Sequence, residues 1–266
     1  MAKFLRDQNL KNITVTEQML DLINEFLEER ELSTNEELTA TGANDDEKLL
    51  LNYIIRFDNR GYKLVDYADV KKYYSQATEV ERMLFTLDST ESVKTNRLYG
   101  TFFEIRLDSR DPKNTFIQVS SDDGDAVDSV FCGLIDIVTK FSNHNGKVRN
   151  TWSQLLVQVL GVAAGFTLSL IAGLKVAPFV KFENSFVITF IFSFLIFSNA
   201  WGFINQQILR YIDYAFPNIK FSRQGKSTLH WLSQALVGGI VVAFTLLLIS
   251  SAFDWIGKVL SEYIGT

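Results

Sequence analysis

Hydrophobic and polar positions follow two different rules along this chain. Up to about residue 149 the apolar positions are periodic and broken by polar ones, and beyond it they run together. Val15, Met19, Leu22, Ile23, Phe26 and Leu27 recur at helical steps, so the spacing predicts an opening helix over 14–30 with Thr14 or Thr16 as cap. Residues 33–46, rich in Thr, Asn, Glu and Asp with Gly42 among them, predict a mobile loop. Leu51, Tyr53, Ile55 and Phe57 then alternate with Asn52, Ile54 and Arg56, and Asp58-Asn59-Arg60-Gly61 leads into Tyr62, Leu64 and Val65 as the return strand of a hairpin.

Residues 66–77 predict a second helix, and three runs over 80–87, 98–107 and 114–119 predict strands, the last two joined by the polar turn 108–113. Tyr99, Thr101, Phe103, Ile105 and Leu107 would share one face. After Ser121-Asp122-Asp123 the helical stripe Val127, Val130, Phe131, Leu134, Val138 and Phe141 is wide enough to cover an antiparallel sheet. Residues 1–147 are therefore expected to form an α+β domain of about five mostly antiparallel strands and three helices around one core.

The second rule begins at Asn150. Residues 150–174, 184–209 and 227–253 contain no Asp, Glu, Lys or Arg. About 20 apolar residues at about 1.5 Å rise cross a hydrocarbon layer of about 30 Å, so these lengths suit spanning helices. Residues 148–266 are expected to be an all-α transmembrane region with helices over 152–174, 185–207 and 231–253, and with Trp152, Trp201, Trp231 and Trp255 near the interfaces.

Charge sharpens the division. Of the 57 charged residues, 46 lie in 1–149 and 11 in 150–266; the first part is net −8 and the second net +3. An acidic soluble part lacks the electrostatic footprint for nucleic acid. Lys147 and Arg149 before the first span, and Arg210, Lys220, Arg223 and Lys226 before the third, are expected to meet lipid headgroups. Lys and Arg are richer at these two places than at Lys175, Lys181 and Lys258, which predicts a cytoplasmic N-terminal domain and an outward C-terminus. Residues 1–16 have no apolar run of signal-peptide type, and the lone Cys132 is expected to pack as a small apolar residue.

Candidate chemistry is sparse. Asp122, Asp123, Asp125 and Asp128 lack the spacing of a calcium loop and suit the first turn of a helix. Gly225-Lys226-Ser227-Thr228 ends like a phosphate loop, but Lys220 stands where the upstream glycine is required. His144, His230 and Cys132 do not supply a zinc ligand set. No residues are assigned to catalysis, a cofactor or a metal. The most specific pattern is a packing one. Gly161, Gly165, Ser169 and Gly173 recur every four residues on the first span, and Ala235, Gly239 and Ala243 repeat the pattern on the third. Such a groove lets another helix approach closely, either within a three-helix bundle or in self-association, and Gln154, Gln158 and Asn199 could add interhelical hydrogen bonds. With no charged residue in the spans, a proton-coupled carrier is disfavoured.

The run Phe216-Pro217-Asn218-Ile219-Lys220-Phe221, set between a membrane hairpin and a last span behind a small α+β domain, resembles a group of uncharacterised bacterial membrane proteins. The resemblance implies no activity. The expectation is an integral protein of the inner membrane: a cytoplasmic recognition or regulatory domain on three membrane helices, self-associating, and acting as sensor, scaffold or effector. Its partners would be the lipid bilayer, other copies of the chain, and a cytoplasmic protein or small molecule. A small oligomeric channel or membrane-disrupting effector gated by the domain is the second reading, and a membrane-bound enzyme the third.

Overall fold

The computed structural model describes residues 3–181 and 183–222. The third predicted span, 231–253, lies outside them. The first half is an α+β region built on a six-stranded antiparallel sheet. Strands β1 (Phe4–Asn9), β3 (Leu49–Phe57), β4 (Arg60–Leu64), β5 (Val80–Ser89), β6 (Phe102–Asp108) and β7 (Phe116–Ser121) stand in the order β1-β7-β6-β5-β3-β4. Helices α1 (Glu17–Thr41), α2 (Tyr67–Gln76) and α4 (Gly124–Thr139) supply one layer, and α3 (Thr90–Lys94) is a single turn after β5. Two long apolar helices follow, α5 (Thr151–Val176) and α6 (Ser185–Ala215). Both are long and apolar enough to cross a membrane.

The core follows from strand alternation. Leu51, Tyr53 and Ile55 of β3, Met83, Phe85 and Leu87 of β5, Phe103, Ile105 and Leu107 of β6, and Ile117 and Val119 of β7 are buried on one face. Met19, Ile23 and Leu27 of α1, Val70 and Tyr74 of α2, and Val127, Val130, Phe131 and Leu134 of α4 meet them. Each such side chain contributes about 1.5–3 kcal/mol on leaving water, so this layer supplies most of the drive to fold. The opposite face carries Asn52, Arg56, Arg82, Thr86, Asp88, Glu104, Arg106, Asp108 and Gln118 at the alternate positions of the same strands.

Local signals are honoured where they are strong. Thr16 caps α1 by accepting from the Met19 N–H at 3.2 Å, and Asp66 and Asp123 cap α2 and α4 in the same way. The β3–β4 turn places Asp58 and Asn59 at φ 49° and 62°, the left-handed pair that suits a two-residue hairpin.

Several expectations are corrected. Residues 33–41 continue α1, where a loop is expected. β4 pairs with β3 only over Tyr53–Phe57, and beyond it α1 takes over. The Asn35 amide donates to the Leu49 carbonyl at 2.9 Å and accepts the Leu49 N–H at 2.8 Å, while Glu31 accepts the Leu51 N–H at 3.2 Å. Gly42, at φ 69°, closes the helix with its N–H on Thr39 and that of Ala43 on Leu38. Strand β6 starts at Phe102, so Tyr99 is exposed and Thr101 precedes the strand; residues 90–101 form α3 and a tight loop. Edge strand β1, on the free side of β7, brings the sheet to six strands.

A second, two-stranded parallel sheet joins β2 (Ile13–Val15) to β8 (Ile219–Phe221), which follows α6. The resemblance-bearing run is thus hydrogen-bonded to the N-terminal segment. Asn218, buried, accepts from the Asn12 N–H at 2.9 Å, donates to the Leu10 carbonyl at 3.5 Å, and its own carbonyl receives the Ile13 N–H at 2.9 Å. Asn145 donates to the Pro217 carbonyl at 2.9 Å, and the Tyr74 hydroxyl reaches the Val15 and Ser222 carbonyls at 3.3 and 3.1 Å. Three distant stretches of chain close on one another at the base of the helical pair.

Candidate functional site

The helical pair is organised by its small residues. Gly161, Gly165, Ser169 and Gly173 are the buried residues of α5, and α6 lies along them. A Cβ built on Gly161 would stand 1.5 Å from the indole of Trp201; at Gly165 the nearest atom is Phe197 Cβ at 3.9 Å, and at Gly173 the Phe186 ring is at 3.0 Å. Within the chain this groove is taken up by aromatic side chains of α6. Trp201 therefore packs on Gly161 part way along α6. Asn199 hydrogen-bonds the Leu195 carbonyl of its own helix at 3.0 Å, and Gln154 and Gln158 are exposed, so these amides do not bridge the pair.

Of the predicted headgroup contacts, Lys147 and Arg210 are exposed, whereas Arg149 pairs with Asp213 across the base of the pair at 3.3 Å. Lys220 sits in β8 opposite Thr14 and is half-buried. Arg223, Lys226, Ala235, Gly239 and Ala243 lie outside the described residues.

In the α+β region the acidic cluster disperses. Asp123 caps α4, accepting the Asp125 N–H at 2.9 Å, and Asp128 pairs with Arg6 of β1 at 2.7 Å. Cys132 is exposed beside the same guanidinium, 3.8 Å from Sγ, instead of packed, because α4 turns that position away from the sheet. A depression between α1 and α2 holds Asp21, but Tyr67 donates to it at 2.7 Å and Lys71 pairs with it at 2.7 Å.

The polar face of the sheet differs from all of these. Its carboxylates are buried and paired across strands with partly exposed arginines. At one end Asp108 accepts from Arg82 Nε at 2.6 Å, Arg106 Nη2 at 3.2 Å and the N–H groups of Arg110 and Asp111 at 3.1 and 2.9 Å. Burial opposes its ionisation, but these donors outweigh it and hold the carboxyl below its ordinary value. Next to it, Glu81 accepts from Arg56 Nε at 2.8 Å and the Asn59 N–H at 2.8 Å, with Arg110 at 3.0 Å.

At the other end a shallow depression of about 320 Å³ opens between β3, β5, β6 and the 90–101 loop. Its charged members are Asp88, Glu104, Arg97 and Lys63. Arg97 is hydrogen-bonded to Glu104 and stands 3.6 Å from Asp88. Asp88 Oδ1 and Ser92 Oγ are buried without a hydrogen-bond partner. Burial pushes the Asp88 carboxyl up, with Arg97 and, more weakly, Lys63 opposing and Glu104 adding to the shift. The loop that builds this wall is fixed. Ser89 Oγ accepts the N–H groups of Ser92 and Thr101, both at 3.1 Å, and Gly100 at φ 75° lies so close that a Cβ would meet Ser89 Oγ at 2.4 Å and the Ser92 nitrogen at 2.6 Å. Asn96 and Arg97 themselves adopt φ 53° and 66°, a costly conformation for residues with side chains.

None of Asp88, Ser92, Arg97 and Glu104 is singled out by sequence reasoning. The available signal is the alternation Glu104, Arg106, Asp108 against Phe103, Ile105, Leu107, which marks a charged face but not its partners. No family model, curated protein or solved structure matches this chain.

Proposed function

We propose that the protein is a membrane-anchored recognition domain whose binding surface is the polar face of the six-stranded sheet. One observation carries this reading: the two faces of a single sheet are treated oppositely. One is closed by α1, α2 and α4, while the other holds buried carboxylates cross-linked to partly exposed arginines and among the described residues bears only the single turn α3 at one end. Burying carboxylates on an open face costs stability unless they are paired, so a solvent-facing sheet without a recognition role would do better with isolated surface charges. The long apolar helices α5 and α6 supply the anchor, and the basic residues around them favour a cytoplasmic domain at the inner membrane. Self-association belongs to the same reading and would use helix faces other than the α5 groove. The base, where β8 returns to β2, ties the domain to its anchor through hydrogen bonds and so fixes how the face is presented.

Two experiments test this. Alkaline carbonate extraction should leave the protein in the membrane pellet; release into the supernatant would remove the anchor. A photo-crosslinking residue at Gln118, on the open face, should give discrete adducts in native membranes, and one at the exposed Glu29 of α1 should give none. Equal labelling from both positions would show that the open face has no special role.

A further inference from the structure

At the Asp88 end of the open face two acceptors lack donors. Asp88 is 9 % exposed, and its Oδ1 is ion-paired with Arg97 at 3.6 Å, beyond hydrogen-bond distance, while the same guanidinium is hydrogen-bonded to Glu104. Ser92 of α3, at 0 % exposure, holds a second unpartnered oxygen behind the same wall. We propose that this depression binds a small organic cation, an alkylammonium or alkylguanidinium, with Asp88 as its counter-ion. The inference rests on reading the open face as the recognition surface and names the ligand class for one end of it.

The chemistry of the wall selects the ligand. A carboxylate accepts only, so the missing group must be rich in donors, and an anionic ligand would add a third negative group beside Asp88 and Glu104, whose charges Arg97 and Lys63 only balance. Among the described residues no three metal-binding side chains converge, and a hard divalent ion would want about six oxygen ligands, which Asp88 and Ser92 do not provide. Ile54, Leu84 and Val93 line the same depression, giving a methylene stem an apolar wall beside the charged end. The volume of about 320 Å³ is of the order that small ligands occupy. The fixed 90–101 loop means little ordering is required on binding, which favours affinity for a small, flexible cation.

The test is calorimetric titration of the full-length protein in detergent at neutral pH and low salt with butylamine, putrescine and agmatine, and with neutral 1-pentanol as the uncharged match. Saturable binding of at least one cation and none of the alcohol is expected. Asp88→Asn should weaken the cation about tenfold or more, the loss expected when a charge-assisted contact becomes neutral. Val93→Trp, a change at an exposed position, should block the depression without touching the core, and it keeps the question open to test if Asp88→Asn fails to fold. A blocked peptide carrying one central Arg distinguishes the source of the cation: tighter binding than agmatine points to a side chain of a partner, weaker binding to a free metabolite. No saturable heat with any cation, or binding that survives both substitutions, overturns the inference. Because Gln118 lies outside the depression, its cross-links would persist in that event, whereas their absence too would bring down the recognition reading itself.

Discussion

Asp88 and Asp108 stand at opposite ends of the β5–β6 ladder, on the same face of the same sheet, and both are buried. They differ in what surrounds them. Asp108 receives four donors from Arg82, Arg106 and two backbone N–H groups, and its carboxyl is held down. Asp88 has one guanidinium at 3.6 Å, shared with Glu104, and its carboxyl is pushed up. Burial alone would raise both; the count of donors decides the sign. A buried carboxylate with a full set of donors is part of the framework. One left short of donors is a cost the fold bears, and such costs gather where something else binds.

The largest effect expected from this contrast is at the well-paired end. Asp108→Ala strips Arg82 and Arg106 of their partner and leaves two N–H groups unsatisfied, so a loss of about 3–5 kcal/mol is expected. Denaturant unfolding of the detergent-solubilised protein measures it, and a loss below about 1 kcal/mol would mean that this end is no better held than an ordinary surface ion pair. Next comes the loop that frames Asp88. Gly100→Ala puts a Cβ 2.6 Å from the Ser92 backbone nitrogen at a φ of 75°, and a cost of about 1–3 kcal/mol is expected from the left-handed conformation and the displaced turn. Amide exchange at Ser92 and Thr101 should speed up in this variant while exchange in β7 does not. Unchanged protection at Ser92 would show that the loop is not held by this close approach.

Which parts of this arrangement can be read from the chain depends on how far apart the interacting residues lie. The β3–β4 hairpin, α2 and α4 follow from Asp58-Asn59, Asp66 and Asp123, whose turn and capping bonds are made within a few residues. The stripe Gly161, Gly165, Ser169, Gly173 is legible as a packing surface because one helix lays it out, although the bulky partner Trp201 is named only by the fold. Asn218 is the opposite case. It bonds to residues 206 and 208 positions away, and no local pattern marks the three residues of β8 as a strand. Residues 33–41 read as a loop because their helix is stabilised from outside, by Asn35 and Glu31 reaching β3. The depression combines both difficulties, since Asp88 lies one residue before the end of β5, Arg97 lies in a left-handed turn and Glu104 comes from the next strand.

At the Asp88 end the contrast predicts a change of opposite sign to that at Asp108. Asp88→Asn keeps the shape and removes a buried charge that lacks donors, so at neutral pH the protein should gain up to about 1 kcal/mol. A loss of similar size would mean that Arg97 at 3.6 Å supports Asp88 after all. Differential scanning calorimetry of the two proteins in the same detergent checks the sign.

The finest discrimination between the two carboxylates lies in how their substitutions respond to pH. Asp88 has its folded-state value above the ordinary carboxyl value of 3.8, so the folded protein holds that proton more tightly than the unfolded chain. Its stabilising contribution is complete below 3.8 and disappears as pH rises through the raised folded-state value. Relative to wild type, Asp88→Asn should therefore become steadily more favourable as pH is raised from acid towards neutral. Asp108 is lowered from the same 3.8, so its contribution is complete above that value and disappears only as pH falls through the lower folded-state one. Relative to wild type, Asp108→Asn should thus become more unfavourable over the acid range as pH rises, and then level off. Stability differences for the two variants, measured against wild type at a series of pH values, should diverge with increasing pH. Curves that run parallel would mean that the two carboxylates share one environment, and Asp88 would then have no unmet demand for a cation.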